Sequence, residues 1–139
     1  MFFTNSIRKR KSKRSRTGAA VAEFAICIPV VLTIVFGMIE IANLIFTRQA
    51  LKAASYEAAL AVTNINGTES SATAKANTVL TAYGINGATL SYSPTVTTAT
   101  ASGTLITVTI TAPRSSNTFS PSFFFTNTNI SCNTVMSRL

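Results

Sequence analysis

Residues 24–46 read FAICIPVVLTIVFGMIEIANLIF, an apolar run of 23 residues that contains a single charge, Glu40. As a helix it would extend about 34 Å, enough to cross a hydrocarbon core of ~30 Å with some tilt. It is too long for the apolar part of an ordinary secretory signal, and no small-x-small cleavage site follows it closely. The net charge of the whole chain is +8, and its distribution matters more than its size. Residues 1–18 hold Arg8, Lys9, Arg10, Lys11, Lys13, Arg14 and Arg16 and no acid, whereas residues 19–139 hold five bases against four acids. Such a leader can bind nucleic acid, form a solvated tail, or hold the cytoplasmic side of a membrane span. Its adjacency to the apolar run favours the span, by the positive-inside rule. No second basic face appears downstream, so no nucleic-acid partner is expected.

Helical character continues past Phe46 in TRQALKAASYEAALAV, so one helix is predicted from about Ala19 to about Val62. Leu44, Leu51 and Ala58 fall seven apart, with Ala54 and Ala61 three residues after Leu51 and Ala58. That narrow stripe of small residues suits packing in a core, or against a partner helix. Asn66-Gly67 signals a turn. A second helix is predicted over 69–84, with Ala72, Ala76, Val79, Leu80 and Tyr83 at spacings of three and four and Gly84 placed to cap it. From Thr89 to Ala112 there are nine threonines and three serines, which raises the option of low-complexity disorder or a glycosylated stalk. Yet TLITVTITA alternates Ile106, Val108 and Ile110 against threonines, the pattern of a half-buried strand. TLSYS and NISCNTVMSR alternate less cleanly. The fold class is therefore α+β: a long N-terminal helix, a short second helix, and a small antiparallel sheet of about three strands. The expected domains are a leader (1–18), a transmembrane helix (19–46) and an extracytoplasmic part (47–139) comprising helices 47–62 and 69–84 and a β-rich end (88–139). TFSPSFFF, residues 118–125, reads as a loop folded over the core, or as an exposed apolar contact patch.

The residue types exclude much chemistry. There is no histidine, the commonest metal ligand and general base. Cys27 lies in the apolar run and Cys132 near the C-terminus, so if the run spans a membrane no intramolecular disulfide is expected. No nucleophile–base pair, metal cluster or phosphate loop is evident; the chain reads as a non-enzyme without metal or cofactor.

The border of leader and apolar run reads RTGAAVAEF, Arg16 to Phe24. A carboxylate there, Glu23, sits at the edge of the hydrocarbon, where a charge is costly. It either snorkels to the headgroups or finds a cation. No cation lies within one helical turn. A cut after Gly18 would create one, the α-amine of Ala19, well placed for a Glu23 on a neighbouring helix offset along its axis. Basic leader, Gly18, Glu23 as the fifth residue after it, and an apolar helix together resemble a type IV prepilin processing site. The longer stretch from Gly18 to about residue 60, with its AEFA, Pro29, FGMIE (36–40) and RQAL (48–51), resembles the TadE-like family, minor pilins of the Tad (tight adherence) pilus system.

The resemblance implies a structural component, a minor pilin or pseudopilin. A prepilin peptidase would cut between Gly18 and Ala19. Glu23 and Phe24 would belong to the processing and assembly segment, with Glu23 paired to the Ala19 amine of a neighbouring subunit. Pro29 lacks an amide hydrogen and would soften or kink the helix. Glu40 and Asn43, three apart, share a face on which they would hydrogen-bond a partner helix or sit at the outer interface. Implied partners are the peptidase, other pilins and assembly proteins of the inner membrane, and membrane lipid. The implied location is the bacterial inner membrane, N-terminus cytoplasmic and C-terminal part outside. The alternative is an uncleaved signal-anchor protein with an outer ligand- or partner-binding domain.

Overall fold

The computed structural model describes residues 14–118 and 128–139, with side chains from Gly18 onward. Most of the Phe-rich stretch therefore lies outside the described residues. Helix α1 (Arg14–Thr63) runs for 50 residues and continues through Pro29. The Thr33 hydroxyl donates to the Pro29 carbonyl at 2.8 Å. The chain divides into two units, one ending at Phe36 and the other running from Gly37 to Leu139. In the first, every residue from Gly18 to Phe36 is exposed. Helix residues Gly18–Thr63 contain an apolar window long enough, by length and composition, to cross a membrane. An exposed helix segment that is apolar on all sides is suited to lipid or to other helices.

The second unit has a conventional core. Helix α2 (Glu69–Ala82) is followed by strands β1 (Thr89–Ser93), β2 (Leu105–Pro113) and β3 (Asn129–Ser137), in the spatial order β1-β2-β3, with both pairings antiparallel. The register aligns Ser91, Thr109 and Asn133 across the sheet. In β2 the alternation works as its sequence implies: Ile106, Val108, Ile110 and Ala112 are fully buried while the threonines between them are partly exposed. These four meet Leu51, Ala54, Ala58 and Val62 of α1 and Ala72, Ala76 and Leu80 of α2 in one cluster. The small-residue stripe is thus spent inside its own chain. Alanines contribute little area but let helix and sheet approach closely, and each larger side chain buried adds about 1.5–3 kcal/mol.

Local chemistry sets the element ends. Thr68 caps α2 in a reciprocal box with Ser71. At the other end Gly84 adopts φ +68, and the amides of Gly84 and Ile85 close back onto the carbonyls of Thr81 and Leu80, a Schellman arrangement that needs a left-handed residue. Glu69 accepts from the Val96 amide at 2.6 Å and so holds the loop after β1. Tyr92 shares a hydrogen bond of 2.9 Å with Thr73, and burial pushes its phenol above the ordinary value, keeping the hydroxyl protonated.

The C-terminus of α1 is closed from far away. The Leu139 amide donates to the Thr63 carbonyl at 3.0 Å, and Arg138, almost fully buried, donates to the carbonyls of Val62 and Gly67 at 3.3 and 3.4 Å. A cation here also answers the negative end of the helix dipole. Asn66, at φ 63, turns the chain. Gly67 follows so closely that a Cβ would collide with the carbonyl oxygens of Ala61 and Val62. Gly67→Ala is therefore expected to destabilise the second unit by at least ~2 kcal/mol, read as a lowered denaturation midpoint. Gly103→Ala, with open space around it but φ +83, should cost less.

Candidate functional site

Two regions of α1 carry the residues that the sequence singles out. The first is the segment beginning at Gly18. A Cβ built on Gly18 would meet nothing within 4 Å, so this position is sterically open. Ala19, Glu23, Phe24 and Pro29 are all exposed, Phe24 at 66%. Among the described residues Glu23 has no hydrogen bond or ion pair. Its carboxylate and the apolar side chains beside it are exposed. Cys27 is exposed here and is a free thiol.

The second region is the turn of α1 around Glu40, inside the second unit. Glu40 receives a hydrogen bond from Arg114 Nη2 at 2.8 Å, and both side chains are 4% exposed or less. Arg114 opens a 3-10 turn, Arg114–Ser116, directly after β2. The pair therefore fastens the end of the central strand to the helix. Of the two expectations for Glu40, a partner helix or the outer interface, neither included this contact: its carboxylate is engaged by Arg114 of its own chain. The physical reason is that the second unit begins at Gly37, so this turn is already covered by the fold. Asn43, one turn on, faces the same way. Its Nδ2 is buried without a hydrogen-bond partner among the described residues. It lines a cleft of about 300 Å³ together with Phe46, Tyr83, Asn86 and Asn117. The Phe46 and Tyr83 rings stand edge to face, with centroids 5.9 Å apart.

Sequence reasoning did not find Arg114. A signal existed: Glu40 is the lone acid of an apolar run, and an acid there needs a cation from somewhere. With 74 residues between the partners, no local pattern identifies which base supplies it. Cys132 is half-buried, and its thiol approaches the Arg48 carbonyl at 3.5 Å. Among the described residues no cluster of His, Cys, Asp or Glu could hold a metal ion.

A family model described as TadE-like protein matches residues 18–60. Residues 18–60 are similar to the TadE-like family. The match covers less than half of the chain, and it starts at the glycine where the basic leader ends. It points to a Tad pilus-associated protein, carried on an apolar helix compatible with a single membrane span. No curated protein and no solved structure is a match to the chain. The TadE-like segment includes both Glu23 and Glu40 but none of α2 or the sheet, so Arg114 lies outside it.

The buried pair makes a direct prediction. Arg114→Met leaves Glu40 buried without this cation, and the expected loss is ~3–5 kcal/mol of stability. Glu40→Leu with Arg114→Met removes both charges, and should destabilise by clearly less than the sum of the single changes. Chemical denaturation of the four proteins of the cycle measures this.

Proposed function

We propose that the protein is a minor pilin or pseudopilin-like structural component of a Tad pilus assembly, matured by a prepilin peptidase that cuts between Gly18 and Ala19. The observation that carries this reading is the TadE-like match beginning at Gly18, on a helix segment whose side chains are exposed all round through Phe36. The seven bases of the leader favour a cytoplasmic N-terminus, with the folded second unit on the outer side. After cleavage the new amine of Ala19 supplies a cation for Glu23 of a neighbouring copy. The exposed apolar surface of 19–36 serves first as membrane anchor and then as packing surface among pilus components. Pro29 leaves the Ala25 carbonyl without its helical donor, a soft point in that anchor.

The structure sharpens the choice of variants. Gly18 has free space around it, so Gly18→Leu should fold normally and yet remain uncut, because the bulk crowds the scissile bond. On an immunoblot from cells with active peptidase it is expected to run as the precursor while the wild type runs shorter. Identical mobility of the two would favour the uncleaved signal-anchor reading. Glu23→Gln should reach the membrane as well as wild type, since a charge has been removed from the hydrocarbon edge. Its recovery with pilus components should fall, because losing one side of a buried pair costs ~3–5 kcal/mol. Normal recovery of Glu23→Gln would remove the pair from the account.

A further inference from the structure

Met38, Ile41, Ile45, Arg48 and Lys52 follow one another on α1 at spacings of three, four, three and four. Such spacing keeps them on one face of the helix. All five are exposed. Along this face the chemistry changes abruptly, from three apolar residues to two cations. Arg48 stands about 4.5 Å beyond Ile45 along the axis and Lys52 about 10.5 Å beyond it. Bases directly after a span on its outer side run against the positive-inside bias and ask for a local reason.

The two cations are largely unspent among the described residues. Among the described residues the Arg48 guanidinium has no hydrogen bond or ion pair. Lys52 gives one of its three donors to the Asn133 carbonyl, at 3.0 Å, which steers the ammonium toward β3. The other acids of this part of α1 do not compete: Glu40 is held by Arg114, and Glu57, five residues beyond Lys52, is not at a facing spacing. Between the helix and β3 lies a cleft of about 310 Å³ formed by Ile45, Arg48, Gln49, Lys52 and Cys132, with mainly apolar walls and the cations at its side.

An occupant must match that order, with apolar substance beside Met38, Ile41 and Ile45 and an anion a few ångströms further on. We propose that this face is a binding site for an anionic glycerophospholipid, its acyl chain along the apolar residues and its phosphate between Arg48 and Lys52. Arg supplies a planar donor fork and Lys a point charge, a combination suited to a phosphodiester. The inference rests on the membrane reading above and names a lipid partner that this reading leaves unspecified.

The test uses the full chain in nanodiscs of phosphatidylcholine containing a minor fraction of phosphatidylglycerol, with retained lipid measured by native mass spectrometry. Wild type is expected to retain phosphatidylglycerol in excess of its share. Arg48→Gln and Lys52→Gln should each lower that excess about fivefold, the equivalent of about 1 kcal/mol per charge. Lys75→Gln, at an exposed base on α2, should leave it unchanged. Equal retention by the inserted double variant Arg48→Gln/Lys52→Gln, or an equal loss with Lys75→Gln, overturns the site. So does equally tight binding of free glycerol 3-phosphate in neutral nanodiscs, which would assign the cations to phosphate without lipid. If the double variant keeps its lipid but loses co-purifying pilus proteins, the face belongs to an acidic protein partner and the lipid assignment is wrong. Failure of wild type to insert counts against the membrane reading, and is distinguished by flotation of the nanodiscs without protein.

Discussion

Glu40 and Arg114 meet at 2.8 Å with almost no access to solvent. One comes from the apolar run of α1, the other from the turn that ends the central strand. A carboxylate in that position would be costly alone, and so would a buried guanidinium. Each makes the other tolerable only when β2 lies against the helix. The pair therefore couples the position of the sheet to one particular turn of α1. The stripe of Leu51, Ala54, Ala58 and Val62 then packs along β2, and Arg138 closes the far end of the helix on the carbonyls of Val62 and Gly67. Two buried arginines thus bracket the packed part of α1, one acting on a carboxylate and one on a helix terminus.

Much of this fold was legible because its signals are local. The alternation of Ile106, Val108 and Ile110 marks a strand whatever its neighbours are. Gly84 at the end of a three-four pattern marks a helix stop, and it adopts the left-handed conformation that the stop needs. Asn66-Gly67 marks a turn, though not how tightly it presses on the end of α1. What stayed hidden depends on pairs distant in sequence. Nothing beside Glu40 names Arg114, and nothing beside Thr63 names Leu139. The same holds for Glu69 and the Val96 amide. The start of the folded unit at Gly37 was hidden for a related reason: Gly37–Phe46 is as apolar as the residues before it, and distant partners such as Arg114 for Glu40, Tyr83 for Phe46 and the core for Leu44 draw it into the second unit.

The two ends of the TadE-like segment have different physical characters. From Gly18 to Phe36 its side chains are uncovered, and the one charge there, Glu23, is without a partner among the described residues. From Gly37 on, one face is spent on the core and the other remains open, apolar through Ile45 and basic from Arg48 to Lys52. In the proposed function the first part is reserved for membrane and neighbouring subunits. The second holds a small sheet domain at a fixed point on the same helix. No catalytic geometry is needed for such a role, only a cleavable leader, an unpaired carboxylate and an anchored fold.

The claim on which the functional account turns is that the mature chain begins at Ala19. The intact mass of the wild-type protein extracted from membranes of cells with an active prepilin peptidase tests it most directly. The expected mass lacks residues 1–18 and carries Ala19 at the N-terminus. A mass that includes the basic leader, with Met1 or Phe2 as first residue, would contradict the account and leave the protein as an uncleaved anchor.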